Sequence, residues 1–285
     1  MNFADFFRGP EHQPFHLNGG QPGALLVHGF PGTPAEMQAA ARSLHAGGWT
    51  VSGPLLPGFG PDLETLPSRR HDEWIQVVQE SLADLKRKHR PTLLVGFSMG
   101  AALSLAASVQ EAPDGLVLLA PFWKLVGPLW GLLPVFRRFF PTIKPFRLIK
   151  PDFSDPQMRK GMKRFAPDLD LADPEVQQGI RDFALPVGIF DEVRLTGKAA
   201  WQAAPSAKAP TLIVQGDSDE LVTVAMTRRL LQRLPGPLHY LEIPGAHDLL
   251  DSGRPGWSQV EGAVLQFARQ LRANDQNSAR GESSP

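Results

Sequence analysis

The sequence predicts an α/β fold: a mostly parallel sheet flanked by helices, interrupted by an inserted cap (lid) subdomain. Short apolar runs bounded by glycine or proline alternate with stretches of helical length. That alternation breaks off after residue 121 and resumes at 210. Strands of a parallel sheet are buried on both faces and read as continuous apolar runs, and each needs a helical crossover to reach the next. The expected organisation is a core made of 1–121 and 210–273, a cap over 122–209, and a polar tail at 274–285 too poor in apolar residues to order.

Taken in order, residues 23–29 form an apolar run closed by glycine, the pattern of a buried strand ending in a loop. Thr33, Pro34 and Glu36 then supply an N-cap, a proline at the first helical position and a capping-box acid, and Gly47-Gly48 stops the helix. The rhythm repeats as strand 49–55, helix 72–88, strand 92–97, helix 98–109 and strand 115–120. After the interruption come strand 211–215, helix 223–234, strand 238–243 and helix 257–271.

Bulk properties narrow the class. At 285 residues with 42% hydrophobic and 20% charged, the chain is long enough for one large core with an insertion. Twenty-nine basic and 29 acidic residues cancel, so no global field draws it to nucleic acid. With no cysteine, disulfides, thiolate metal sites and thiol nucleophiles are excluded, and serine has the nucleophile's role to itself. The first residues carry Asp5 and no apolar run of signal-peptide length, which reads as cytoplasmic. The most apolar stretch, 116–136, contains Lys124 and is broken by Pro121, Pro128 and Pro134, making it a poor transmembrane helix.

Gly96-Phe97-Ser98-Met99-Gly100 is a G-x-S-x-G motif set directly after an apolar strand and before a helix of small residues. The chemistry asks for a serine on a sharp turn, with glycines where strand and helix backbones meet. With this motif, and with the run from Leu26 through His28-Gly29-Phe30-Pro31-Gly32 to Met37, the chain resembles the α/β hydrolases, in particular bacterial carboxylesterases and monoacylglycerol lipases. The likeness covers about 23–120 and 210–270 and none of the cap. One departure is Phe59, where relatives usually carry histidine; its expected effect is on the rim of the pocket.

The resemblance implies the order serine, acid, histidine. His247, in the loop after strand 238–243, is the expected base; the alternative, His239, lies within that strand. Asp219 is the expected acid because the family pattern places it three residues after Gly216, with Asp217 as a turn former and Glu220 facing cap or solvent. The implied oxyanion donors are the backbone N–H groups of Met99 and Phe30, with His28 as a brace. An acyl-enzyme mechanism on Ser98 follows, with no metal or organic cofactor implied.

The segment 122–150 holds six basic side chains, seven aromatics and no acid. Such a segment either packs its aromatics on the core and pairs its cations with acids such as Asp170 or Asp173, or forms a lid touching a lipid surface. Phe122, Trp123 and Trp130 are the candidate pocket residues. The expected substrate is a small-molecule ester, lipid esters included, and no nucleic acid partner is expected. Thioesterase, C–C hydrolase and acyl-transfer chemistry use the same triad, and a non-catalytic lipid-binding protein is the alternative from another class.

Overall fold

The computed structural model describes residues 7–124, 138, 142–144, 147, 151–155, 159, 170–182 and 185–281. Its strands are β1 (Phe15–Leu17), β2 (Gly23–Val27), β3 (Thr50–Gly53), β4 (Thr92–Phe97), β5 (Gly115–Leu119), β6 (Thr142–Ile143), β7 (Leu185–Pro186), β8 (Thr211–Gly216) and β9 (Leu238–Ile243). The helices are α1 (Gln38–Ala46), α2 (His71–Lys86), α3 (Met99–Ala107), α4 (Pro174–Asp182), α5 (Val187–Ala203), α6 (Val224–Leu231) and α7 (Trp257–Gly281).

Seven strands form one sheet in the order β1-β3-β2-β4-β5-β8-β9. All neighbours are parallel except β1, which runs antiparallel to β3 at the edge. Every residue of β2, β4, β5 and β8 is buried, which is why these strands are continuous apolar runs in the sequence. The fold is that of an α/β hydrolase. Beneath one face Trp74, Val78 and Leu82 of α2 pack with α3 and with Ile189, Val193 and Ala200 of α5. Beneath the other, Ala41 and Leu44 of α1 pack with Val260, Val264 and Phe267 of α7. The register pairs Val27 with Gly96, Phe97 with Leu119 and Gly216 with Ile243, so the strands end nearly level. The loops after β2, β4, β8 and β9 therefore meet at one edge, where parallel α/β sheets place their ligands.

Several expectations need correction. β1 has no counterpart in the sequence reading: three partly exposed residues are too few to display a period. Helix α7 runs on through Asn274 to Gly281, where the tail was expected to be disordered; between Gly262 and Gly281 no glycine or proline interrupts it. Residues 282–285 lie outside the described ones. The anticipated cap spans 122–209. Its last part, α5 and the Ala204–Ser206 turn, lies in the core against α3, with Ala204 and Ala207 fully or nearly fully buried. By contrast Phe153, Leu171, Val176 and Ile180 are buried but belong to neither main cluster.

Candidate active site

Ser98 stands between the last residue of β4 and the first of α3, with φ 53° and ψ −115°. For a residue with a Cβ this conformation costs on the order of 1–3 kcal/mol and persists only where surrounding structure imposes it. Here Ser98 N–H donates to Leu119 O at 2.9 Å, and the Ser98 carbonyl accepts from Ala101 N–H, Ala102 N–H and Phe122 N–H. The flanking glycines are required by space. A Cβ on Gly96 would strike the Gly100 carbonyl, and one on Gly100 would strike the carbonyls of Val27 and His28.

His247 Nε2 lies 2.9 Å from Ser98 Oγ, and His247 Nδ1 lies 2.7 Å from Asp219 Oδ2. With Nδ1 donating to the carboxylate, Nε2 is left to accept the serine proton. Asp219 is buried, and its second oxygen accepts from Leu221 N–H at 2.9 Å and Val222 N–H at 2.8 Å. Burial pushes this carboxyl up, but the His247 bond and the two amides outweigh it and hold the pKa below the usual value. The other two acids of the segment are elsewhere. Asp217 is exposed and accepts from Gly245 N–H, tying the acid loop to the histidine loop, and Glu220 is exposed. His239 is exposed on β9, its ring edge on Phe267.

Gln215 contacts the acid of the site, a partner that sequence reasoning missed. Its amide donates to Asp219 Oδ2 at 3.2 Å and to Val222 O at 2.8 Å, while its oxygen accepts from Thr227 Oγ1. The signal was available: a polar amide inside an otherwise apolar strand must find partners when buried.

Met99 is the first residue of α3, so its N–H is one of those a helix leaves without an internal acceptor, at the positive end of the helix. Phe30 follows Gly29 in a turn closed by Gly32 N–H to Gly29 O at 3.0 Å. His28 braces this loop. Its Nδ1–H donates to Gly29 O at 3.0 Å, its Nε2 accepts from Leu56 N–H at 3.1 Å, and burial depresses its pKa to about 4. Both ring nitrogens are thus engaged in the neutral form. Phe59 is fully buried and not on a rim: its ring meets His28, Phe30 and Trp74 edge-on, because an apolar ring at that position moves inward behind the loop.

The capping box does not form as expected. Thr33 Oγ1 does accept from Ala35 N–H, but the Glu36 carboxyl turns away from Thr33 and accepts from Gly29 N–H instead. A cavity of about 510 Å³ opens beside the triad, lined by His247, Phe97, Phe30, Glu36, Leu221 and Leu250 among others.

Of the pocket candidates, Phe122 is buried against α5, where Gly197 makes room for it and for the Trp123 carbonyl. The Trp123 ring stacks on Trp201 at 4.2 Å, and its indole N–H donates to Met226 O. Neither lines the cavity beside His247; both face elements of the core because their large rings complete its packing. Trp130 lies outside the described residues. Of the six cations of 122–150, Lys144 and Arg147 share Asp182, an acid other than those expected; Arg137 and Lys150 lie outside the described residues. Among the described residues no group of three histidines or acids is placed to hold a metal ion, and no helix is long and apolar enough to cross a membrane.

A nucleophile elbow on a parallel sheet, with an imidazole and a carboxylate in line behind it, is the arrangement of an α/β hydrolase of the serine type. The chain belongs to the family described as Serine aminopeptidase, S33 (Hydrolase_4), whose model matches residues 23–250. It is 37% identical over 102 residues to the thermostable monoacylglycerol lipase of Bacillus sp. (strain H-257), covering 36% of this chain and 40% of that protein. It is 29% identical over 106 residues to the carboxylesterase of Bacillus subtilis (strain 168), covering 37% and 43%. The chain thus spans about two-fifths of the length of the curated relatives it matches. Among solved structures, one of the metagenome-derived lipolytic enzymes LipS and LipT superposes with a TM-score of 0.72 at 20% identity, over 92% of this chain and 98% of that one. The monoacylglycerol lipase of Paleococcus ferrophilus does so with 0.66 at 17% identity, over 91% and 99%. At these identities the superpositions speak to the fold alone.

Proposed function

We propose that the protein hydrolyses carboxylic esters through an acyl-enzyme on Ser98, with lipid-like or monoacylglycerol-type acyl esters as the substrate class. The observation that carries this reading is the continuous hydrogen-bonded line from Ser98 Oγ through His247 to buried Asp219, opening beside a largely apolar cavity. Ser98 Oγ attacks the ester carbonyl as His247 Nε2 takes its proton. The tetrahedral oxyanion is held by the N–H groups of Met99 and Phe30. His247 returns the proton to the leaving alcohol, and water activated by the same imidazole then releases the acid. Asp219 fixes the tautomer and balances the imidazolium. Both curated relatives bear names of ester-cleaving enzymes, which supports this choice over the thioesters and C–C bonds the same groups could attack. The pairing of Lys144 and Arg147 with Asp182 favours cations held within the protein, so contact with a lipid surface is not required by the proposal.

The test compares wild type with Ser98→Ala on p-nitrophenyl esters of increasing acyl length and on monoacylglycerols, without added metal. Wild type is expected to turn over, with an optimum that reports the acyl site. The variant is expected to lose at least about 10³-fold in kcat while melting like the wild type. Equal activity in both would overturn the serine mechanism, and turnover of thioesters alone would move the substrate class.

A further inference from the structure

The loop that carries the Phe30 N–H contains two glycines; His28 and Gly32 N–H hold its Gly29 carbonyl, and the Gly29 N–H on the other side needs a partner of its own. We infer that Glu36 is a positioning residue for this loop: its carboxyl clamps Gly29 and Gly32 and thereby aims the Phe30 N–H at the carbonyl over Ser98. The inference deepens the ester-hydrolase reading and rests on it.

The geometry is specific. Glu36 Oε1 accepts the N–H of Gly29, the residue immediately before Phe30. The same carboxyl lies over Gly32, where a Cβ would come within about 2.5 Å of it, so glycine at 32 is what lets the acid reach in. A Cβ on Gly29 would also meet Glu36 Oε1, at 3.3 Å. Glu36 itself is fixed from behind, because its own N–H donates to Thr33 O in the short 3₁₀ turn Pro34–Met37, and Met37 is fully buried. One side chain thus bridges both ends of the turn Gly29–Gly32, with Phe30 held between. An oxyanion donor acts only when aimed at the place the oxygen will occupy before the reaction begins. The Gly29–Phe30 peptide is held at its carbonyl by His28 Nδ1–H and Gly32 N–H, and Glu36 holds the peptide before it through Gly29 N–H. The two together set the Phe30 N–H, and its aim is lost if the His28–Gly29 peptide can swing. A helix-capping role would have left the carboxyl on Thr33 N–H, and the structure puts it on Gly29 instead.

The experiment compares wild type, Glu36→Gln, Glu36→Ala and Glu36→Ser. Gln keeps an oxygen acceptor of the same reach; Ala has none, and Ser is too short to span to Gly29. Two readouts are taken: kcat and KM on the best p-nitrophenyl ester, and amide hydrogen exchange of the peptide containing Gly29 and Phe30. Ala and Ser are expected to lose about 10–100-fold in kcat, part of what deleting an oxyanion donor costs, with KM changed less than about twofold. Gln is expected to recover most of that loss. Exchange should rise at Gly29 and Phe30 in Ala and Ser, return toward wild type in Gln, and stay unchanged in β4 and α3. A general loss of protection, with kcat falling and KM rising together, would make Glu36 merely structural and overturn the inference. So would Gln behaving like Ala, or Ala like wild type. If Ala does not fold, Ser and Gln still decide. If wild type cleaves no ester, the hydrolase reading fails on its own account, and the exchange pattern still judges the clamp.

Discussion

At the residue scale the molecule uses two carboxyls in opposite electrostatic settings. Asp219 is buried but surrounded by donors, so its charged form is favoured. Glu36 receives one N–H and is crowded by protein atoms, so burial raises its pKa from 4.5 to about 7. The consequence for stability has a definite sign. A carboxyl whose folded pKa is raised binds its proton more tightly in the folded state, so its contribution is full below pH 4.5 and is lost as the pH rises through about 7. Wild type should therefore lose thermal stability relative to Glu36→Gln as the pH rises from 4.5 to about 7, the steepest change falling midway between those two values and the curve levelling off above the upper one. His12, Arg42, His247, Asp248 and Asp251 line the same cavity and are the same in both proteins, so the difference in melting temperature at matched pH isolates Glu36. A difference flat across that range would contradict the raised pKa. Ser98, His247 and Asp219 were legible in the sequence because motif, strand context and chain order converge on them. The partners of Glu36 and Gln215 were not. Which amide a carboxyl selects depends on where a loop folds back, and periodicity carries no record of that.

At the element scale the strands buried on both faces were readable as apolar runs and α1 and α6 as helices; Thr223 caps α6 by accepting from Met226 N–H, whereas Thr33 caps the 3₁₀ turn Pro34–Met37 that precedes α1. The elbow is where local rules yield to packing. Gly100 opens α3 against the carbonyl ends of Val27 and His28, so β2 and α3 approach more closely than any side chain permits. Gly100→Ala should then cost about 1–3 kcal/mol or more by overpacking, a fall of several degrees at roughly 2–4 °C per kcal/mol for a chain of this size, and should lower kcat by displacing Met99 N–H. Gly179 in α4 is the control. Nothing lies within 4 Å of its would-be Cβ, and Ala there should gain about 0.5–1 kcal/mol from helix propensity. Thermal melts of the two variants test the contrast. If Gly100→Ala melts with wild type, the close approach of β2 and α3 is not a constraint.

At the scale of the whole molecule the question is which part of the insertion between β5 and β8 is separable. The break in the strand and helix rhythm after residue 121 was readable, but not the return of the chain to the core at 187. A helix with Ile189, Val193 and Ala200 on one face looks the same in sequence whether it covers a lid or a sheet. In the structure that face lies on α3, and Trp201 adds a stack with Trp123 and an Arg233 guanidinium 4.4 Å above its ring. Removing 122–209 therefore removes a core helix together with the aromatic clamp at its end. That variant should not fold, with a penalty well beyond the about 3–5 kcal/mol of a single buried aromatic. Removing only 125–184 leaves α5 and the clamp in place. Trp123 lies against Gly197, ten helical residues after Val187. The gap to be bridged is therefore about 15 Å along the helix, within the root-mean-square span of about 19 Å for a flexible linker of about twelve residues. The 125–184 replacement is expected to melt cooperatively and to keep Ser98 reactive toward a short-chain ester, while losing any preference for long acyl chains. Folding of both deletions would return α5 to the cap; failure of both would make the segment 125–184 part of the core as well.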